Sequence, residues 1–256
     1  MFGRGGVGWP REIESSVSAI LAEVAVGRKR TASGAKKMAQ ETEIKLRIAD
    51  KEGLQRALKK MKAKHAARGT GRVHEYNVLF DAAEGTLAKR EQMLRIRTET
   101  REGKRVREQN GKPEVTLTFK GPANGSSGGN RGEQHKVREE IETQVSDGDS
   151  LAKVLEGLGM RIFFRYEKYR TTFRLPESQR WAKELKIELD ETPIGTFVEL
   201  EGPAEAIDRA AEGLGFSKRD YITENYLVLY REECRRQSKQ PGDMVFTRSR
   251  AARGAR

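Results

Sequence analysis

The sequence predicts an α+β fold, a mainly antiparallel eight-stranded β-barrel or tunnel with helices packed outside. Three observations point there. Five short segments alternate charged or polar residues with apolar ones at a period of two: Glu41-Thr42-Glu43-Ile44-Lys45, Leu94-Arg95-Ile96-Arg97, Val115 to Lys120, Glu140-Ile141-Glu142 and Glu199-Leu200-Glu201. Successive side chains of a strand point to opposite faces, so each segment puts charge on one face and apolar groups on the other. The charged faces carry both signs, as expected of a lined interior rather than a solvated surface. Between the strands lie helix-like stretches, the pattern of a sheet covered on its outer face.

The elements follow in order. A strand over 41–49 leads into a helix over about 50–66, a strand over about 72–80, a short helix over about 84–91 and a strand over 92–100. Arg101-Glu102-Gly103-Lys104 reads as a hairpin turn before a strand over about 113–120. Gly121 to Asn130 is rich in Gly, Ser and Asn, a loop composition. A strand over 134–145 follows, then a helix started by Asp147 and Ser150 and ended near Gly157 or Gly159. A long hairpin spans about 161–175 and 184–190, with a strand over 195–201 beside it. Pro203 opens a helix to about Gly213. A last helix over about 218–231 contains Tyr221, Tyr226 and Tyr230. No repeat of fixed period is visible.

The 256 residues divide into an N-terminal extension over 1–40, a folded domain over 41–231 and a basic tail over 232–256. The extension holds a glycine-rich start, an amphipathic helix over about 11–25 and a linker before Met38. Met38 reads as an alternative start, or residues 1–37 as a dispensable extension. Net charge is +12, but residues 1–40 carry +4 and 231–256 carry +5, leaving +3 on 41–230. The basic excess therefore lies in the tails, and nucleic-acid contact through them is not expected to be the main function. No apolar run reaches the roughly 18 residues of a membrane helix. The single Cys234 cannot form an internal disulfide. A cytoplasmic setting is expected.

Carboxylate pairs inside a barrel would hold divalent cations, and arginines and lysines there would hold a polyanion such as a triphosphate. For each segment alone, an exposed strand face or ordinary salt bridges would explain the charges. The segments together reverse that balance, because charges desolvated inside a barrel are costly unless something is gained by keeping them. The glycine run at 5–8 lacks the Lys-Ser/Thr of a phosphate-binding loop, no nucleophile elbow or Cys–His pattern occurs, and the three histidines have no metal-ligand spacing.

The Glu-x-Glu-x-Lys opening comes first in a series of seven elements. Leu94-Arg95-Ile96-Arg97, Thr118-Phe119-Lys120-Gly121-Pro122 and Arg138-Glu139-Glu140-Ile141-Glu142 follow. Glu167-Lys168-Tyr169-Arg170, Leu189-Asp190-Glu191 and Phe197-Val198-Glu199-Leu200-Glu201-Gly202 complete it. In that order they resemble the CYTH superfamily of triphosphate tunnel metalloenzymes over about residues 41–230. Members include class IV adenylyl cyclases, thiamine triphosphatases and inorganic triphosphatases, and the layout is most similar to the class IV cyclase-like bacterial and archaeal proteins.

The resemblance implies Glu41, Glu43 and Lys45 as catalytic residues. It implies Lys45, Arg95, Arg97, Lys120, Lys168 and Arg170 as the triphosphate clamp. Glu41, Glu43, Glu140, Glu142, Asp190, Glu199 and Glu201 would bind Mg²⁺ or Mn²⁺. Lys136, Arg138, Arg174 and Lys186 rank second. Asp190 could instead cap its turn, Glu140 and Glu142 could orient the basic residues, and Tyr221 could touch a ligand. The hairpin from Pro176 to Leu185, with Trp181, is longer than in compact members and is expected to alter a tunnel mouth. The implied partner is ATP, or inorganic or thiamine triphosphate, with a possible homodimer. The competing functions are cyclase, triphosphatase and a non-catalytic polyphosphate- or RNA-binding module. The carboxylate pairs disfavour the last.

Overall fold

The computed structural model describes residues 40–66, 71–102, 112–123 and 135–247. The proposed N-terminal extension and its helix lie outside them, as do most of the hairpin turn, most of the glycine-rich loop and the end of the basic tail.

Nine strands form one antiparallel sheet among the described residues: β1 (Gln40–Ile48), β2 (Lys64–His65), β3 (Arg72–Ala82), β4 (Met93–Arg101), β5 (Glu114–Ala123), β6 (Lys136–Val145), β7 (Met160–Arg174), β8 (Lys186–Thr192) and β9 (Gly195–Glu201). Eight of them close on themselves in the order β7-β3-β4-β5-β6-β1-β9-β8, with β8 pairing back to β7, and the two-residue β2 joins the edge of β7. The helices are α1 (Lys51–Lys60), α2 (Thr86–Lys89), α3 (Gly148–Gly157), α4 (Ala204–Gly213) and α5 (Tyr226–Arg236). None among the described residues is long and apolar enough to cross a membrane.

The main apolar core lies outside the barrel. Ile44, Leu46 and Ile48 of β1, Ile187 of β8 and Val198 and Leu200 of β9 turn outward. They meet Leu54 and Leu58 of α1 and Ala206, Ile207, Ala210 and Ala211 of α4. Burying such side chains contributes about 1.5–3 kcal/mol each, so the helices hold the barrel from outside. Asp50 caps α1 by accepting from the Gly53 amide at 2.8 Å. Gly202, at φ 150, lies where a Cβ would come within 3.1 Å of the Glu184–Leu185 backbone, so β9 can pass into α4 only with glycine there.

Three elements differ from the sequence reading. The first helix ends at Lys60 rather than 66, because Lys62 takes a positive φ and residues 64–65 pair with β7. The last helix begins at Tyr226, not 218. Residues 218–220 form a 3₁₀ turn, and Ile222 exchanges both backbone hydrogen bonds with Lys45 at 2.8 and 2.9 Å before Asn225 caps α5. The chain beyond 231 also does not leave the domain as a tail. α5 continues to Arg236, and residues 243–246 then run beside the free edge of β7. There Met244, fully buried, pairs in parallel with the β7 backbone at Tyr166, and Phe246 meets the Tyr169 ring.

Candidate active site

The inward faces of the barrel strands carry charge. From β1, Glu41, Glu43 and Lys45 point in, a direct result of their i, i+2 spacing. Arg95 and Arg97 of β4, Lys120 of β5, Glu140 and Glu142 of β6, Lys168 and Arg170 of β7, and Glu199 and Glu201 of β9 join them around one cavity of about 490 Å³. That is the size range of small-molecule sites. Lys136, Arg138, Lys186 and Glu188 line it as well. Of the predicted metal- and phosphate-binding residues, Arg174, which donates to the Leu185 carbonyl at 2.8 Å, does not line it, and neither does Asp190. Its side chain is fully buried behind the cavity wall, accepting from Lys168 Nζ at 2.8 Å, Arg170 Nε at 2.7 Å and the Tyr226 hydroxyl at 2.8 Å.

The charges neutralise one another in two groups. On one side Glu41 holds Lys120 at 2.6 Å and Arg138 at 3.3 Å, and Lys120 reaches Glu140 at 2.9 Å. Glu43 meets Lys45, Arg138 and Lys136 at 3.4–3.5 Å. On the other side Arg170 contacts Glu75, Glu188, Asp190 and Glu199, and Lys168 bonds Asp190. Lys45 links the two groups through Glu199 at 3.4 Å. Arg95 donates to the Tyr166 hydroxyl and to Thr118, which in turn donates to Glu142 at 2.9 Å. Buried charges persist only when paired, and these pairs keep the ligand-free cavity stable.

The pairing splits the carboxyl groups. Burial raises Glu43, but Lys45, Lys120 and Lys136 outweigh it and hold the group well below the usual range. Burial and the adjacent Glu43 push Glu41 up. Burial lowers Lys136 to about 8, with Glu43 only partly offsetting the neighbouring Arg138, Lys45 and Lys120. Glu188 is pushed up to about 7 by burial, with Glu199 and Asp190 adding to it; Arg170, shared among four carboxylates, cannot offset this.

A carboxyl group raised on folding contributes stability below its unfolded value that is lost as pH rises. For Glu188 that loss falls between about 4.5 and 7. Glu188→Gln is therefore expected to gain stability relative to the wild type, by about 3 kcal/mol, between pH 4.5 and pH 8. Urea unfolding at the two pH values reads this; a pH-independent difference would reject the assignment.

Oxygen donors alone suit a hard divalent cation, which keeps water and shares substrate phosphates rather than needing a complete protein cage. Glu41, Glu43, Glu199 and Glu201 face the cavity from the adjacent strands β1 and β9, with Glu43 directly opposite Glu201. Among the described residues, no three acidic, His or Cys side chains gather into a shell by themselves. The donor chemistry fits a hard divalent cation.

Sequence reasoning missed three contributors. Glu75, almost fully buried on β3, meets Arg97, Lys168 and Arg170 at 3.4–3.5 Å. The other acid of its strand, Asp81, lies six residues on, so no i, i+2 pair of charges marks it, although its alternation with Asn77 and Leu79 was visible. Tyr166 is an ordinary aromatic at the right strand phase. Tyr226 enters from α5, and its ring lies 5.6 Å from Lys45 Nζ and 5.3 Å from Lys168 Nζ. No strand period could reveal it.

Two expectations are corrected. Tyr221 donates to Asp208 at 2.9 Å and packs by His135, away from the cavity. The 176–185 connection does not shape a tunnel mouth. Ala182, Leu185 and Trp181, the large and small apolar side chains of that connection, pack on the outer core with residues of α1 and α4. Phe163, Met93, Leu227 and Val228 supply apolar lining to the cavity, alongside Glu91, Gln92 and Glu224.

A family model described as CYTH domain matches residues 39–218. No curated protein sequence matches the chain. Among solved structures, a candidate adenylate cyclase from Vibrio parahaemolyticus aligns with a TM-score of 0.56 at 18% identity, covering 74% of this chain and 96% of its own. A protein of Pyrococcus horikoshii OT3 aligns at 0.54 and 23% identity, covering 75% of this chain and 99% of its own. A conserved hypothetical protein of Pyrococcus furiosus aligns at 0.54 and 22% identity, covering 74% and 99%. At such identities the likeness is one of fold.

Proposed function

The chain belongs to the CYTH domain family, and on that premise we propose that it is a metal-dependent enzyme acting on a nucleoside triphosphate inside the barrel, converting ATP to cyclic AMP and pyrophosphate. One observation carries the reading. Lys45, Arg95, Lys120, Arg138, Lys168 and Arg170 converge on a single cavity that also presents two pairs of carboxylates. A basic lining alone would describe a polyanion-binding module; the facing carboxylates make it a site for a polyanion with its metal.

Arg95, Arg138 and Arg170 can each offer two parallel donors to phosphate oxygens, and Lys120 and Lys168 act as point charges. On substrate binding these cations exchange a carboxylate for a phosphate, so their charge remains compensated. Glu41, Glu43, Glu199 and Glu201, with Glu140 nearby, would hold Mg²⁺ or Mn²⁺. When bound, the metal would draw charge from the phosphate oxygens. The surrounding cations are preorganised for charge growing on the leaving pyrophosphate. The barrel wall restricts water, which favours attack by the substrate's own ribose hydroxyl.

The second reading is hydrolysis of inorganic, thiamine or nucleoside triphosphate, favoured by the polar interior, which grips phosphate whatever is attached to it. A product assay separates the two. With ATP and Mg²⁺ or Mn²⁺, cyclic AMP and pyrophosphate are expected in equal amounts. Orthophosphate without cyclic AMP would replace the cyclase reading with the triphosphatase one. No turnover of ATP, inorganic triphosphate or thiamine triphosphate by folded protein would leave a binding module.

A further inference from the structure

β3 and β7 pair regularly through Leu79 opposite Phe164, and then resume with Phe80 opposite Ile162. Phe163 therefore has no partner, which makes it the extra residue of a β-bulge. A bulge re-aims a side chain that strict alternation would send to the other face. Phe164 keeps its inward place and is almost fully buried, packed against Tyr166 and Tyr230 at 5.8 Å between ring centroids. Phe163 also borders the cavity but remains 43% exposed, and Val228, also on its lining, is 37% exposed. Two large apolar groups thus stand open at the edge of a charged site.

We propose that Phe163 is a specificity-determining residue: the bulge turns its ring into the cavity mouth as a stacking surface for the flat heterocyclic base of a nucleoside triphosphate. This rests on the triphosphate reading of the site. The phosphates occupy the charged interior, and the nucleoside leads outward to the mouth, where Val228 offers a further apolar surface. Such stacking against an aromatic ring gives about five- to a hundredfold in affinity. An inorganic triphosphate is satisfied by the interior alone and does not reach the ring.

Binding of ATP and of inorganic triphosphate, each with Mg²⁺, to the full chain and to Phe163→Ala and Phe163→Trp tests this by calorimetry. Phe163→Ala is expected to raise the Kd for ATP about tenfold and to change that for inorganic triphosphate less than twofold, while Phe163→Trp retains ATP affinity. Equal weakening of both ligands, or no change in either, would overturn the proposal. A wild-type protein that binds inorganic triphosphate but not ATP would overturn it while leaving the triphosphate site standing. Binding of neither would remove both.

Discussion

Glu43→Gln is expected to lower kcat/KM by about a thousandfold, the scale seen when one preorganised electrostatic group is lost from a site. Glu43 is buried, faces Glu201 across the β1–β9 pair and contacts Lys45, Lys136 and Arg138. Gln keeps the volume and an acceptor but removes the charge a metal requires. It also leaves those three cations less compensated, so the cavity becomes more attractive to a metal-free polyanion. The signature is therefore divided. Metal-dependent turnover collapses, while inorganic triphosphate in the presence of a chelator binds as tightly as before or more tightly. Steady-state kinetics with varied Mg²⁺ and chelated binding measurements read the two halves. Unimpaired turnover would remove Glu43 from the site. Glu43→Ala is a poorer probe, since breaking such a buried pairing costs about 3–5 kcal/mol of stability.

The second large effect is on stability. Asp190→Asn is expected to destabilise the fold by about 3–5 kcal/mol, because Lys168 and Arg170 lose their shared, fully buried counter-charge. In a domain of this size that lowers Tm by roughly 10 °C. The measurement is urea unfolding with a chelator present. A residue whose only role was metal binding would show little change under those conditions, so an unaffected midpoint would return Asp190 to the ligand set implied by its resemblance to family members. The expected loss makes Asp190 the anchor that aims Lys168, Arg170 and Tyr226.

The barrel was legible because its strands carry charge at i and i+2, a period no helix shares. Glu41, Glu43, Arg95, Arg97, Glu199 and Glu201 could be placed on one face before any pairing was known. Asp190 shows where that logic stops. Alternation assigns a face, but the depth of a side chain behind that face depends on what other elements deliver, here Tyr226 from a helix 36 residues later. Glu75 was lost for the converse reason, as an acid with no charged neighbour at i+2 makes no pattern. Phe163 could not be placed because a bulge breaks the period by which faces are read. The last helix was extended too far because no Gly or Pro interrupts residues 218–231, whereas the backbone of Ile222 is taken by β1.

The return of residues 243–246 to the β7 edge bears on how the protein is made. β1 pairs with β6 and β9 and bridges to Ile222, and the Tyr226 helix and its strap come last among the described elements. Pairings so distant along the chain close slowly, since the intervening loop entropy is met before any contact rewards it. A ribosome must therefore release most of the polypeptide before the first strand finds both neighbours, and the mouth is completed later still. Synthesis interrupted short of the strap would leave a charged barrel with β7 unprotected at its edge and Tyr226 unsecured.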